Sequence, residues 1–338
     1  MGAGMRALVY VAPTELVVGE VAEPEPGEGD VVLTVELVGL GGSEVLALRD
    51  PGARTLPLIM GHGVVGRTPE GRRVAVNPLS GCGDCARCTA GVPQRCAGWR
   101  MLGVHHDGGL AERVAVARQA LVEIPDGLTW EQAVFIEPFA NAVRAWERSG
   151  ATGGDAVGVI GAGGLGLGCV AAARQAGAEL IDCFEPSEER ALAAKGLGAT
   201  GRGPVRGRRY DVVFDSVGSA ATRALAIEHT RPGGHIVLLG FADTVAGFDP
   251  VAFIRAEHRL TGSFVFDDAQ FRVAIGLAGR TDPAWVRAFG LDTAAAALEG
   301  FARGDHSIVK AAVRPADLPG TCSARGEHVV GTDARSPS

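Results

Sequence analysis

The chain has 338 residues, of which 46% are hydrophobic and 21% charged, and its formal net charge is −7. This length allows one large domain or two ordinary domains with buried cores, and the composition is that of an ordered globular protein. The acidic balance argues against nucleic acid as a partner, because a phosphate backbone requires a basic surface. We expect no membrane span, since glycines interrupt the longest apolar run, residues 157–173. No signal peptide precedes the first strand-like segment, which predicts a cytoplasmic protein with reduced cysteines.

The first part of the chain predicts β-structure. Residues 7–10 and 31–38 are strand-like, and turns rich in proline and glycine punctuate the segments around them. Residues 101–125 return to strand character. Thr129 to Gln132 form a capping box that predicts a helix ending near Phe135. A second helix is predicted over residues 138–149.

Four cysteines lie between these β-rich segments. They follow the spacing C-x2-C-x2-C-x7-C and are Cys82, Cys85, Cys88 and Cys96. Four thiols this close in a reducing compartment fit a tetrahedral zinc site with no open coordination position. Such a site is structural, because it holds together a segment too short for a core of its own. An iron–sulfur cluster and a loop without metal are the alternatives, and the glycine-rich spacing favours zinc.

A dinucleotide-binding fingerprint begins at residue 155. An apolar strand is followed by the glycine loop Gly161-Ala162-Gly163-Gly164-Leu165-Gly166, an alanine-rich helix, and a second strand that ends at Glu185. Gly161 allows the tight turn, Gly163 lets the backbone approach a pyrophosphate, and Gly166 lets the helix pack closely on the strand. The free N–H groups at the start of the helix favour the phosphates. The fingerprint predicts a nicotinamide dinucleotide and therefore an oxidoreductase.

The choice between NAD and NADP depends on the end of the second strand. Glu185 favours NAD(H), because a carboxylate accepts hydrogen bonds from the free 2′-hydroxyl and repels a 2′-phosphate. Arg190 and the arginines within residues 202–209 could instead reach a phosphate, which leaves NADP(H) open. We also assign three residues that end or follow the next predicted strands to the cofactor site: Val217, Gly240 and Phe241.

From residue 155 onward strands and helices alternate, as a doubly wound parallel sheet requires. Residues 211–215 and 235–240 are predicted as buried strands, with a turn over 232–234 before the second. Helices are predicted from about residue 269, followed by a strand over 308–313. The polar segment 316–338 is predicted to be disordered. The fold class is α/β, with a β-rich region before a Rossmann-type sheet.

This order of motifs resembles the medium-chain dehydrogenase/reductase superfamily, and within it the zinc-type alcohol, polyol and threonine dehydrogenases. The resemblance implies a GroES-like catalytic domain over 1–138 with its zinc lobe at 80–100. It further implies a Rossmann domain over 139–268, a return to the catalytic domain over 269–315, and a tail over 316–338. It also implies a small-molecule substrate and a homodimer, with a tetramer as the alternative.

The family's catalytic zinc motifs are only partly kept. Where the family has G-x-C-G-S/T-D, this chain reads Gly39-Leu40-Gly41-Gly42-Ser43-Glu44, so a glycine stands at the cysteine ligand. Where the family has G-H-E-x-x-G, the chain reads Gly61-His62-Gly63-Val64-Val65-Gly66. The third motif is kept as Glu137-Pro138-Phe139. His62 and Glu137 remain as ligands, whereas a catalytic zinc normally has three. We therefore expect no catalytic zinc, unless Glu44 or a histidine from elsewhere completes the site.

The resemblance assigns possible catalytic roles to the residues that remain. Ser43 takes the place of the hydroxyl in the family's proton relay, or else only caps a turn. His62 is a candidate general acid, or a histidine that is hydrogen-bonded to Glu44 or Glu137 without a catalytic task. Glu137 could orient His62 or a water, or remain as a relic. His105, with its neighbour His106, lies on a segment that approaches the substrate in this family, although an exposed loop histidine is the commoner case.

Three functions follow from these interpretations. The favoured one is a zinc-independent reductase or dehydrogenase that moves hydride between nicotinamide and a carbonyl, an imine or an activated C=C bond. The second is a polyol or amino-alcohol dehydrogenase that holds its zinc through atypical ligands. The third is a non-catalytic dinucleotide-binding protein, against which the polar residues kept in the expected cleft argue.

Overall fold

The computed structural model describes residues 4–203, 207–244, 249–304 and 307–316. These residues form two compact units. The first contains the described residues of 1–134, 287–305 and 311–338, and the second those of 135–286 and 306–310. The domain boundaries predicted from the sequence, at 138/139 and 268/269, stay predictions. None of the helices in the described ranges combines the length and the apolar character needed to cross a bilayer.

The first unit is rich in strands. They are β1 Gly4–Ala12, β2 Glu15–Ala22, β3 Asp30–Gly39, β4 Leu58–Ile59, β5 Gly63–Arg67, β6 Arg73–Val76, β7 Leu79–Ser80, β8 Arg100–Met101, β9 Arg113–Ala117 and β10 Leu121–Glu123. The strands of the remaining chain are β11 Val157–Ile160, β12 Ile181–Phe184, β13 Gly201–Arg202, β14 Tyr210–Asp215, β15 Thr230–Leu238, β16 Arg259–Gly262, β17 Val286–Gly290 and β18 Lys310–Arg314.

Ten α-helices lie within the described ranges. They are α1 Gly42–Arg49, α2 Ala86–Thr89, α3 Trp130–Ala133, α4 Ile136–Ser149, α5 Gly164–Gln175, α6 Glu188–Gly196, α7 Ala220–His229, α8 Pro250–Arg255, α9 Asp268–Ala278 and α10 Leu291–Ala302. The predicted capping box starts α3, since the Gln132 N–H donates to Thr129 Oγ1 at 3.2 Å and the Thr129 N–H donates to Gln132 Oε1 at 3.1 Å.

The main sheet of the first unit has the strand order β10-β6-β5-β3-β18-β17, with β9 also paired to β3. Strand β18 runs antiparallel to β3, and Ala312 lies opposite Gly39. The end of the described chain therefore returns to the first unit. The core of this unit includes the apolar side chains of Leu33 and Leu37 on β3, which are fully buried.

The second unit contains a six-stranded sheet in the order β13-β12-β11-β14-β15-β16, and all its strand pairs are parallel. This is the order of a doubly wound dinucleotide-binding sheet, in which the chain reverses direction next to β11. Its core includes Ile160, Phe184, Tyr210, Val213 and Ile236, all at most 5% exposed. The α/β prediction, with a β-rich unit and a Rossmann-type unit, is confirmed.

Several boundaries differ from those predicted. Helix α4 begins two residues before Pro138, because proline is tolerated in the first turn, where its missing N–H has no helical partner. Residues 232–234 belong to β15 instead of a separate turn, and the pairing with β14 shifts register there, as in a β-bulge. Strand β17 was not predicted, and β18 begins at Lys310. Residues 317–338, which include most of the predicted tail, lie outside the described ranges.

Candidate functional site

The cysteine lobe closes on itself. Its two ends pair as the short strands β7 and β8, with Ser80 opposite Arg100. Between them the four Sγ atoms of Cys82, Cys85, Cys88 and Cys96 lie within 4.8 Å of one another. Adjacent pairs are 3.5 to 3.9 Å apart.

These separations fit a single zinc ion. Four sulfurs at the usual Zn–S distance of about 2.3 Å in a tetrahedron are roughly 3.8 Å from one another. The four thiols leave no position open for a substrate, so a zinc held here would stabilise the lobe and take no part in chemistry. In the described part of the first unit, no other group of three or more His, Cys, Asp or Glu side chains brings its ligand atoms this close together.

Three of the predicted catalytic residues come together in the first unit. Strand β3 ends at Gly39, the chain turns through Gly41 into α1, and His62 directly precedes β5. Nδ1 of His62 lies 2.7 Å from Oε1 of Glu44. The second oxygen, Oε2, accepts hydrogen bonds from the Gly41 N–H at 2.9 Å and from Ser43 Oγ at 3.1 Å.

The Glu44 carboxylate is thus held by donors on both oxygens. The residue is only 1% exposed. Burial by itself would raise its pKa, but the His62 imidazole, the Arg54 guanidinium and the Gly41 N–H together outweigh burial and hold the pKa at about 2. Glu44 is therefore an ionised, hydrogen-bonded carboxylate that orients His62 through Nδ1.

His105 lies elsewhere in the first unit. Its Nδ1 accepts a hydrogen bond from the Met101 N–H at 3.0 Å, and its ring packs edge-on against Trp99, with the ring centres 4.8 Å apart. Burial lowers the pKa of His105, and the Arg100 charge lowers it further. A neutral imidazole with Nδ1 as the acceptor carries its proton on Nε2. His106, by contrast, is exposed.

Glu137 belongs to the second unit, in the first turn of α4. The residue is half-buried, and its Oε1 accepts a hydrogen bond from Asn141 Nδ2 at 2.8 Å, one turn along the helix. This is an i, i+4 pair on one helix face. The second unit thus places Glu137 at a fixed position, and its proposed catalytic role stays a prediction.

The glycine loop of the second unit joins β11 to α5. Gly161 has φ +89°, a conformation that favours glycine. A Cβ on Gly166 would lie 1.9 Å from the Gly161 carbonyl oxygen, so the helix could not pack so close to the loop with any larger residue. A Cβ on Gly163 would meet nothing within 4 Å, which leaves open space beside the start of α5. The loop therefore fits a pyrophosphate on the N–H groups of that helix.

Glu185 ends the neighbouring strand and faces this loop. Its Oε2 accepts a hydrogen bond from the Ala162 N–H at 2.8 Å, and its Oε1 accepts one from the Ser187 N–H at 2.9 Å. The side chain is therefore pre-oriented at the carboxyl edge of the sheet, where a ribose would lie. Arg190 directs Nε to the Ile308 carbonyl oxygen at 2.9 Å. Arg202 donates to the backbone carbonyls of residues 185 and 186.

The other predicted cofactor residues lie at the same edge of the sheet. A Cβ on Gly161 would lie 2.6 Å from Val217 Cγ2, and a Cβ on Gly240 would lie 2.1 Å from the backbone of Val217. These loops therefore meet next to the glycine turn. Phe241 is exposed and packs edge-on against Phe264, with the ring centres 6.4 Å apart.

Sequence reasoning missed two charged residues that the structure places at these sites. Lys310 is 6% exposed, and a Cβ on Gly164 would lie 3.7 Å from its Nζ. This ammonium group is thus held near the first residue of α5. Arg54 lies within electrostatic range of Glu44 in the first unit. Lys310 could have been suspected, because it is one of only two lysines in the chain, but no motif marked Arg54.

Comparisons with known proteins identify the family. The family model for the alcohol dehydrogenase GroES-like domain matches residues 27–126, and the model for zinc-binding dehydrogenases matches residues 164–280. An uncharacterised zinc-type alcohol dehydrogenase-like protein of Haemophilus influenzae is 32% identical over 267 residues, which cover 71% of this chain and 77% of the relative.

Two solved structures extend the similarity to the fold. A zinc-binding dehydrogenase from Sinorhizobium meliloti bound to NADP has a TM-score of 0.85 and 28% identity, covering 93% of this chain and 100% of that one. An alcohol dehydrogenase, RspB, from Escherichia coli CFT073 in complex with NADH has a TM-score of 0.82 and 26% identity, with the same coverage. The homodimer and the cytoplasmic location stay predictions. The chain is a member of the zinc-type alcohol dehydrogenase-like group of medium-chain dehydrogenases/reductases, and it is an NAD(P)-dependent oxidoreductase.

Proposed function

We propose that this protein transfers hydride between a nicotinamide cofactor and a carbonyl, imine or activated C=C bond without a catalytic zinc, and that reduction is the favoured direction. The observation that carries the proposal is the hydrogen-bonded group of Ser43, Glu44 and His62. Glycines stand at positions 41 and 63, where the family motifs have a cysteine and a glutamate. Both Glu44 oxygens are already engaged by His62, Ser43 and Gly41, which argues against Glu44 as a replacement zinc ligand.

A site without zinc must stabilise the negative charge that develops on the substrate oxygen, either by protonating it or with hydrogen-bond donors. When bound, the reduced cofactor supplies the hydride. Because Nδ1 of His62 faces an ionised carboxylate, Nε2 is the nitrogen that can deliver a proton to the substrate oxygen, or to carbon in a C=C reduction. Glu44 stabilises the imidazolium form of His62 that donates this proton, and the Ser43 hydroxyl, which donates to the same carboxylate, extends the proposed relay.

NAD(H) is the proposed cofactor. Support comes from the Glu185 carboxylate, which the Ala162 and Ser187 N–H groups orient at the edge of the sheet. Lys310 supplies a positive charge beside the start of α5, which suits the pyrophosphate of either cofactor. Arg202 donates hydrogen bonds to two backbone carbonyl oxygens. These contacts do not direct its guanidinium at a 2′-phosphate. Fluorescence titration should give a Kd for NADH roughly tenfold or more below that for NADPH; tighter binding of NADPH would contradict this assignment.

The experiment that tests the function is a screen of NAD(P)H oxidation with enones, enals, ketones and imines. Activity should be present in protein with about one zinc per chain and should not rise on addition of zinc. His62→Gln should lower kcat by about 10²–10³, whereas the Kd for NADH should not change, because His62 belongs to the first unit and the glycine loop to the second. Activity that tracks a second bound zinc would favour the dehydrogenase with atypical ligands. Absence of turnover with both cofactors, in both directions, would favour a non-catalytic binding protein.

A further inference from the structure

Arg54 lies in the connection between α1 and β4, next to the proposed proton relay. The turn at residues 51–54 is closed by a hydrogen bond from the Arg54 N–H to the Pro51 carbonyl oxygen at 3.1 Å. The side chain is half-buried. Its Nη1 reaches the same carbonyl oxygen at 3.5 Å, the outer limit of a hydrogen bond. Its Nε is enclosed and has no hydrogen-bond partner among the described residues.

An arginine in this state is unusual. The guanidinium has five N–H donors in a planar fork, and withdrawing them from water without acceptors is costly. Burial lowers the pKa of Arg54, while the negative charge of Glu44 and the nearby Tyr10 act in the opposite direction. Arginine nevertheless remains charged at any ordinary pH. The site therefore holds a cation whose donors are poorly used by the protein itself.

Glu44 is not the missing acceptor. No ion pair within 4.0 Å joins Arg54 to Glu44 in the described part of the chain, and both Glu44 oxygens accept from other donors. The Arg54 charge also acts on His105, whose pKa it helps to lower. The guanidinium thus lies within electrostatic range of both Glu44 and His105.

We propose that Arg54 binds the carboxylate of an anionic substrate and so makes this enzyme selective for hydroxy or oxo acids over neutral alcohols and carbonyls. The two terminal NH₂ groups of the planar guanidinium can face a carboxylate end-on with two parallel hydrogen bonds, a geometry that does not use the enclosed Nε. A phosphate ester is the less suitable anion, because a dianion would be repelled by the ionised Glu44 nearby and would require more donors than one arginine. The inference builds on the proposed function, since it names the substrate class of that same site.

The test is a binding measurement, so that it does not depend on turnover. Kd values are measured by calorimetry with the NADH-loaded enzyme for two matched pairs, D-gluconate with sorbitol and D-galactonate with galactitol, whose members differ in a carboxylate against a hydroxymethyl group. Inorganic phosphate is measured in parallel. The variants are Arg54→Gln, Arg54→Lys and the control Arg303→Gln, whose side chain is 71% exposed and pairs with Glu299.

We expect the wild-type enzyme to bind at least one acid roughly tenfold or more tightly than its polyol, as a charged hydrogen-bond pair allows. Arg54→Gln should abolish the difference, Arg54→Lys should keep part of it, and Arg303→Gln should keep all of it. Equal binding of acid and polyol, binding of no acid, or a preference that survives Arg54→Gln would overturn the proposal, as would tighter binding of phosphate than of either acid. If circular dichroism shows that Arg54→Gln is unfolded, the wild-type ratios and Arg54→Lys decide the question.

The proposal and the proposed function can fail separately. Arg54-dependent binding of acids without hydride transfer would leave the substrate site intact and remove the catalytic proposal. Turnover of neutral ketones or enones with no preference for carboxylates would support the catalytic proposal and remove the proposed role of Arg54.

Discussion

Two regions of the first unit carry sequence motifs that resemble the family's two zinc-binding motifs, and they keep these motifs to different degrees. The cysteine lobe presents all four thiols with sulfur separations that suit a tetrahedral ion. Around His62, glycines replace two motif residues, and the remaining polar side chains bond to one another. A structural zinc site thus depends on a complete local set of ligands. Under the proposed function, the hydrogen bonds among Ser43, Glu44 and His62 handle protons in place of a catalytic metal.

The cysteine lobe and the region around Glu44 also differ in how their negative charges are compensated. In the lobe, thiolates need a cation to offset their mutual repulsion, so the site is complete only with metal. Around Glu44, the charge is already compensated by His62, by the Gly41 N–H and by the more distant Arg54. The charge of Glu44 is therefore compensated by the protein itself, whereas the lobe depends on a bound metal ion.

The largest expected effect is that of Cys85→Ser. Loss of one thiolate from a four-cysteine site should remove the zinc and destabilise the protein by about 5 kcal/mol or more, since metal binding contributes directly to folding. Thermal unfolding together with elemental analysis measures both. Cys322→Ser is the control, because Cys322 lies outside the C-x2-C-x2-C-x7-C segment of the sequence. A Cys85→Ser protein with unchanged zinc and stability would remove the structural site from the account.

A smaller loss is expected for Glu44→Gln. The pKa of Glu44 is about 2 in the folded protein, against an ordinary value of 4.5. Its ionised form therefore contributes about 3 kcal/mol of stability above pH 4.5, and this contribution is lost as the pH falls from 4.5 towards 2. The variant should lose most of it at pH 7 and show a flatter dependence of stability on pH between 4.5 and 3.

Urea unfolding of both proteins at pH 7 and pH 3.5 measures this difference. Glu299→Gln serves as the control, because the Glu299 side chain is 52% exposed and pairs with Arg303 at 3.5 Å; such exposed pairs contribute at most about 0.5 kcal/mol. If Glu44→Gln were no more destabilising than Glu299→Gln, the buried charge network would have no energetic role. The zinc content of both variants should remain that of the wild type.

The smallest effect is a gain of metal from Gly41→Cys. A Cβ at this position would lie 3.5 Å from Glu44 Oε2, an ordinary contact, so the thiol should fit and restore the cysteine of the family motif in the unit that contains His62. We expect bound zinc to rise from about one to about two per chain after growth with added zinc. Gly42→Cys is the control, because its Cβ would meet nothing within 4 Å. Equal zinc in the two variants would show that position 41 is not the former ligand position.

Local motifs made part of this structure predictable. The glycine loop and the four cysteines are each recognisable from the spacing of their residues. The structure places the loop between β11 and α5 and brings the four thiols together, as predicted. The α/β class followed from the alternation of strands and helices after residue 155. The predicted helix start at Pro138 was wrong because proline is accepted inside a first turn as well as at its border.

The remaining features depend on contacts between distant segments. Strand β17 has no clear alternation of its own, and its place in the sheet is given by its partner β18. The two hydrogen bonds to Glu185 come from loops before and after its strand. Arg54 looks like any loop arginine until the fold encloses its Nε and brings it within range of Glu44 and His105. Spacing along a chain does not encode such tertiary surroundings.

The central claim is that the enzyme works with the structural zinc alone, and elemental analysis of folded protein purified without chelator or added metal tests it most directly. We expect about one zinc per chain in a preparation that oxidises NADH with a carbonyl or enone substrate. About two zinc ions per chain, with activity that falls as the second is removed, would contradict it.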